Sequence, residues 1–152
     1  GLPSWGGLLE RLAVVAGFDE LSRKALGALD FLDQPTLIEE KMSTKAFKRA
    51  IADCVKHGRY TPAHSLLGSM KVPCVTTNYD PLYENAVDSA AAKEDDHVKR
   101  LPWDATAIAK TPGNMRRVLK LHGCVKDPDS IVLTRGDYMR FEDNRQGAPG
   151  AP

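Results

Sequence analysis

The sequence predicts an α/β layer fold with a largely parallel sheet. Two observations carry this: the first half places apolar residues at helical spacing, and the second half alternates short β-branched runs with helical segments. The chain has 152 residues, 42% hydrophobic and 27% charged, so disordered, collagen-like and disulfide-scaffold classes are excluded. A chain of this length can bury about 70% of its unfolded surface.

Taken in order, Ser4 is a cap for a helix carrying Leu8, Leu9, Leu12 and Val15, closed by Gly17. Leu21, Ala25, Leu26 and Leu29 form a second stripe. Leu32 to Met42 form a third, with Pro35 tolerated in the first turn. Ser43 opens a longer helix, with Phe47, Ala50, Ile51, Cys54 and Val55 on one face; Lys45, Lys48, Arg49 and Lys56 lie elsewhere, and Gly58 closes it. Pro62 starts another helix through Leu66, Leu67 and Met70. The period then changes. Val72 to Thr77 reads as a buried strand, halted at Asn78-Tyr79-Asp80-Pro81, where Asp80 caps a helix over Leu82 to Ala92. Lys93 to Asp96 reads as a loop. Strands are expected at His97 to Leu101, Val118 to His122 and Ile131 to Thr134, and a helix at Asp137 to Asn144. The Gly-Ala-Pro repeats from Gly147 to Pro152 read as unstructured.

Other features narrow the class. Lys+Arg number 21 against 20 Asp+Glu, a net charge of +1; this gives no field for nucleic acid or acidic membranes. No apolar run approaches the ~20 residues of a membrane helix, and no signal peptide is visible. Cys54, Cys74 and Cys124 are odd in number and far apart, which suits free thiols in a reducing compartment, and a cytoplasmic location is expected. The first residue is Gly1 rather than Met, as expected of a processed, trimmed or fragmentary product.

In a parallel sheet, ligands bind at the carboxyl ends of strands. Two polar loops fall there: Thr76-Thr77-Asn78-Tyr79-Asp80, and Leu119-Lys120-Leu121-His122-Gly123. An Asn amide offers donors and an acceptor for a water or a ribose hydroxyl. A His with an ordinary pKa of ~6.5 accepts a proton at neutral pH. Strand-end Asn and Asp also serve as helix caps, and a lone His is commonly structural, so the residues alone leave both readings open. Cys124 beside His122 reads as packing rather than as a nucleophile. Cys54 and Cys74 read as core, and His57 and His64 as surface residues or caps. Arg116, Arg117 and Lys120 read as a solvated strand edge, and Trp103 as a loop anchor.

These words resemble the SIR2-like domain family, zinc-free relatives of sirtuins. The matching segments are Gly1-Leu2-Pro3-Ser4-Trp5, Thr76 to Asp80, Lys120-Leu121-His122-Gly123, and Ile131 to Tyr138, in the family's order. The resemblance implies a Rossmann-like three-layer fold with a mainly parallel sheet and a helical insertion. On that reading 1–145 is a partial NAD-binding domain, with 1–70 mainly helical and 71–145 alternating, followed by a tail over 146–152.

It further implies cleavage of NAD at the nicotinamide–ribose bond, with NAD as the bound ligand and no zinc. Asn78 would orient a ribose hydroxyl or the attacking water, and His122 would act as base. Tyr79 and Asp80 would line the nicotinamide pocket, Thr77 would face the ribose, and Pro3 and Trp5 would belong to the covering loop. An antiphage defence role, and a homo-oligomer or a fused or partner effector domain, follow from the same resemblance. The alternatives are a non-catalytic nucleotide-sensing or assembly module, or a sirtuin-type deacylase. The family's Gly-rich phosphate loop precedes the Gly1-Leu2-Pro3 segment and its last strands follow the Tyr138 helix, so the chain is expected to be an incomplete domain, inactive alone.

Overall fold

The computed structural model describes residues 1–56, 58–70, 72–90, 99–101 and 117–146. His57, the Lys93–Asp96 loop, His97, Trp103, Arg116 and the tail from Gly147 lie outside them.

Five helices come first: α1 (Trp5–Val15), α2 (Glu20–Leu26), α3 (Asp33–Glu40), α4 (Thr44–Val55) and α5 (Pro62–Ser69). Their ends follow from local chemistry. Ser4 Oγ accepts from the Gly7 amide at 3.3 Å, and Ser43 Oγ from Ala46 at the same distance. Gly17, at φ +77°, closes α1: the Gly17 amide donates to Val14 and the Phe18 amide to Ala13, the paired bonds of a left-handed helix stop. At α5, the Thr61 amide donates to His64 Nδ1 at 3.2 Å, so His64 is a cap.

The described strands are β1 (Cys74–Thr76), β2 (Lys99–Leu101) and β3 (Arg117–Lys120), with α6 (Leu82–Ala90) after β1. They form one sheet in the order β1-β3-β2, and both pairings are parallel. Thr76 stands opposite Lys120, and Leu101 opposite Leu119. The carboxyl ends of β1 and β3 therefore share one edge. A 3-10 turn (Pro128–Ser130) and α7 (Arg135–Gln146) are the last of the described elements.

One apolar cluster joins both halves. Leu8, Leu9 and Leu12 of α1, Ile38 of α3 and Phe47, Ile51 and Val55 of α4 pack with Tyr79, Cys124, Val125, Ile131 and Leu133. The helices thus sit against the loop edge of the sheet, where a ligand site is expected.

Several expectations change. Val15 is 60% exposed and Ala13 takes the inner face. Leu66, Leu67 and Met70 of α5 are also exposed; Gly68 faces α6 instead, where a Cβ would come within 2.8 Å of Val87 Cγ2. Cys124 is buried as expected, whereas Cys54 and Cys74 are only half-buried. Ile131 to Thr134 is buried but is not a strand. Its backbone groups are taken elsewhere: Lys48 Nζ donates to Ile131 O, the Val132 amide donates to His122 O, and Asp137 accepts from the Leu133 and Thr134 amides. With those groups used, no ladder can form.

Candidate functional site

At the end of β1 the chain turns sharply. The Asn78 amide donates to Thr76 Oγ1 at 3.1 Å, leaving the Asn78 side chain exposed. Asp80 Oδ1 accepts from the Leu82 amide at 3.0 Å and starts α6, so one of its oxygens is occupied by capping. Tyr79 is buried, and its hydroxyl donates to Val132 O at 2.9 Å. Burial, reinforced by Tyr138 and Asp137, pushes the Tyr79 phenol far above its ordinary range, so it stays a neutral donor.

The second loop is fixed as tightly. The Leu121 amide donates to Thr76 O at 2.9 Å, joining the ends of β1 and β3. Gly123 follows His122 at φ +87°, and a Cβ there would lie 2.1 Å from Ser130 O; no other residue fits. The half-buried His122 ring meets Tyr138 in a T-shaped contact, centroids 5.4 Å apart at 84°. Burial lowers the His122 pKa below its ordinary 6.5, so the imidazole is neutral at physiological pH with a lone pair available. Among the described residues, neither ring nitrogen is hydrogen-bonded.

The structure brings every expected site residue to one cleft of about 440 Å³. Thr77, Asn78, Tyr79, Asp80 and His122 line it together with Pro3 and Trp5. Leu2, Leu8 and Val55 add apolar surface, and Ser4 also lines the cleft. Tyr138, which was not expected at the site, also lines it; the only sequence signal was its place in the segment after His122. Volume and mixed lining are those of a small-molecule pocket.

Two buried lysines overturn the sequence reading. Lys120, expected on a solvated edge, is 2% exposed and pairs with Glu84 at 2.9 Å. Lys48, expected away from the apolar face of α4, is buried and pairs with Asp137 at 3.0 Å. Burial alone would raise the Asp137 carboxyl, but the Leu133 and Thr134 amides and the Lys48 ammonium outweigh it and hold it below its ordinary value. The Cys54 and Cys74 thiols are pushed up by burial, which disfavours the thiolate. Among the described residues no group of three His, Cys, Asp or Glu side chains could hold a metal ion, and no described helix is long and apolar enough to cross a membrane.

A parallel sheet with a mixed cleft at the carboxyl ends of its strands has the layout in which α/β folds place their ligand sites. The profile of the SIR2-like domain family matches residues 73–151, more than half of the chain, and the chain belongs to that family. Over 83 residues it is 34% identical to the NAD(+) hydrolase ThsA of Enterococcus faecium, covering 53% of this chain and 16% of that protein. Over 148 residues it is 24% identical to the NAD(+) hydrolase ThsA of Cytobacillus dafuensis, covering 96% of this chain and 28% of that protein. The chain thus spans less than a third of either relative.

Proposed function

We propose that the protein carrying this chain hydrolyses NAD at the nicotinamide–ribose bond, with Asn78 and His122 as the reacting site. The observation that carries the reading is the convergence of the Asn78 amide and the His122 imidazole on one cleft that Pro3 and Trp5 also line. The two ThsA relatives are named NAD(+) hydrolases, which supports NAD as the substrate.

The residues suit that substrate. The apolar and aromatic wall accepts a flat ring, while Asn78 can donate to and accept from a ribose hydroxyl or a water. Neutral His122 takes the proton from that hydroxyl or water. The leaving nicotinamide departs uncharged, so positioning and exclusion of bulk water supply much of the rate. Tyr79 and Asp80 act mainly by shaping the loop, since the Tyr79 hydroxyl and one Asp80 oxygen are already bonded. Thr77 faces the ribose side. A role in antiphage defence, and assembly with further copies or an effector domain, belong to the same proposal.

The test is NAD loss and nicotinamide release by the full-length protein, beside Asn78→Ala and His122→Ala. Removal of the base is expected to cost about 10²- to 10⁴-fold in rate, with thermal unfolding little changed. Wild-type rates in both variants would sink the assignment. NAD binding without turnover in the unaltered protein would make it a nucleotide sensor instead.

A further inference from the structure

We infer that the buried Lys120–Glu84 ion pair is a positioning device that sets Asn78 against His122, an inference resting on the roles proposed above for those two residues. Lys120 ends β3 and lies two positions before His122. Its Nζ donates to Glu84 Oε1 at 2.9 Å, to Tyr79 O at 3.3 Å and to Asp80 O. An ammonium has three protons to donate, and each has a partner. Two of those partners are the carbonyls that directly follow Asn78 in its loop; the third is on α6, which that loop starts. One buried side chain from the His122 strand therefore holds the Asn78 loop from below.

Stability does not explain the pair. Both side chains are at most 3% exposed, and removing two such charges from water offsets most of their attraction, so apolar residues of equal volume would serve as well or better. Glu84 Oε2 is also buried without a hydrogen-bond partner among the described residues. An incompletely satisfied carboxylate is a poor way to gain stability. It remains a good way to hold Lys120 in one direction, because the donors and acceptors are few and fixed.

The experiment uses the full-length protein with Glu84→Gln, which keeps shape, and with the double change Lys120→Met/Glu84→Leu, which leaves no lone buried charge. In the folded variants kcat for NAD cleavage is expected to fall on the order of 10- to 100-fold with KM unchanged, since misplacement by about 1 Å is enough for such a loss. Amide hydrogen exchange of Asn78, Tyr79 and Asp80 is expected to quicken while that of α1 and α4 stays as it was. If Glu84→Gln folds and leaves both kcat and loop exchange unchanged, the inference is overturned. Asn78→Ala and His122→Ala run alongside separate the two levels. Should they retain activity, the catalytic reading fails, and loop exchange still decides whether the pair fixes the loop. Should they lose activity while both pair variants keep it, the positioning role alone fails.

Discussion

Helices α1, α3 and α4 meet through Leu12, Ile38, Phe47 and Ile51, which expose no surface at all. The loops over the sheet are instead tied by Lys48 to Asp137 and by Lys120 to Glu84. Each apolar side chain contributes about 1.5–3 kcal/mol by leaving water, without regard to direction. A buried ion pair contributes little net stability, but breaking it is costly and its geometry is narrow. The apolar cluster, to which Ile131 and Leu133 of the second half also contribute, thus supplies free energy, while the polar contacts of the sheet half hold the loops that carry Asn78 and His122. Lys48 bridges the two: it sits on α4 and donates to Ile131 O at 2.6 Å.

The difference can be broken from either side. Phe47→Ala should have the largest effect, about 3–5 kcal/mol of stability, from the cavity left in the apolar cluster; urea unfolding measures it. A loss below about 1 kcal/mol would mean that the helices do not depend on that core. Lys48→Met should cost about 3 kcal/mol, near the lower end for a broken buried pair, because Asp137 keeps the Leu133 and Thr134 amides. Adding Asp137→Leu should recover only part, since those two amides then lose their acceptor. Full recovery would show that the amides find other partners. Ser43→Ala removes a cap from α4 and should cost about 1 kcal/mol, with no change in NAD turnover.

The smallest expected effect is a pH dependence. The His122 pKa is lowered on folding by burial, so the unfolded chain binds the proton more readily. Stability from this group is complete well above pH 6.5 and is lost as pH falls below that value. In the full-length protein, the acid limb of kcat/KM should likewise lie below 6.5 and disappear from the residual rate of His122→Ala. A limb above 6.5 would contradict a neutral, desolvated imidazole.

Much of this was legible in the residues. Ser4, Ser43 and Pro62 mark helix starts that the structure reproduces to within a residue. Local chemistry suffices there, since a cap acts over three or four positions. The site words were legible too, because two strand-end loops in a parallel sheet must share an edge. The roles of Lys48 and Lys120 were not. A lysine reads as solvent-facing from its neighbours, and the partners that bury these two lie 36 to 89 positions away. The Ile131–Thr134 run misled for a related reason: β-branched residues signal burial, and whether a strand forms depends on what claims the backbone.

The sequence by itself determined the starts of α1, α4 and α5 and the residues that gather at one loop edge, because caps and apolar period act locally; the last helix begins at Arg135, two residues before the expected Asp137. Only the tertiary structure decided that Tyr138 would meet His122, that α5 would turn Gly68 rather than its leucines inward, and that two lysines would anchor the site from within. Those outcomes depend on long-range partners, whose hydrogen bonds and shape decide which polar groups can be buried at tolerable cost.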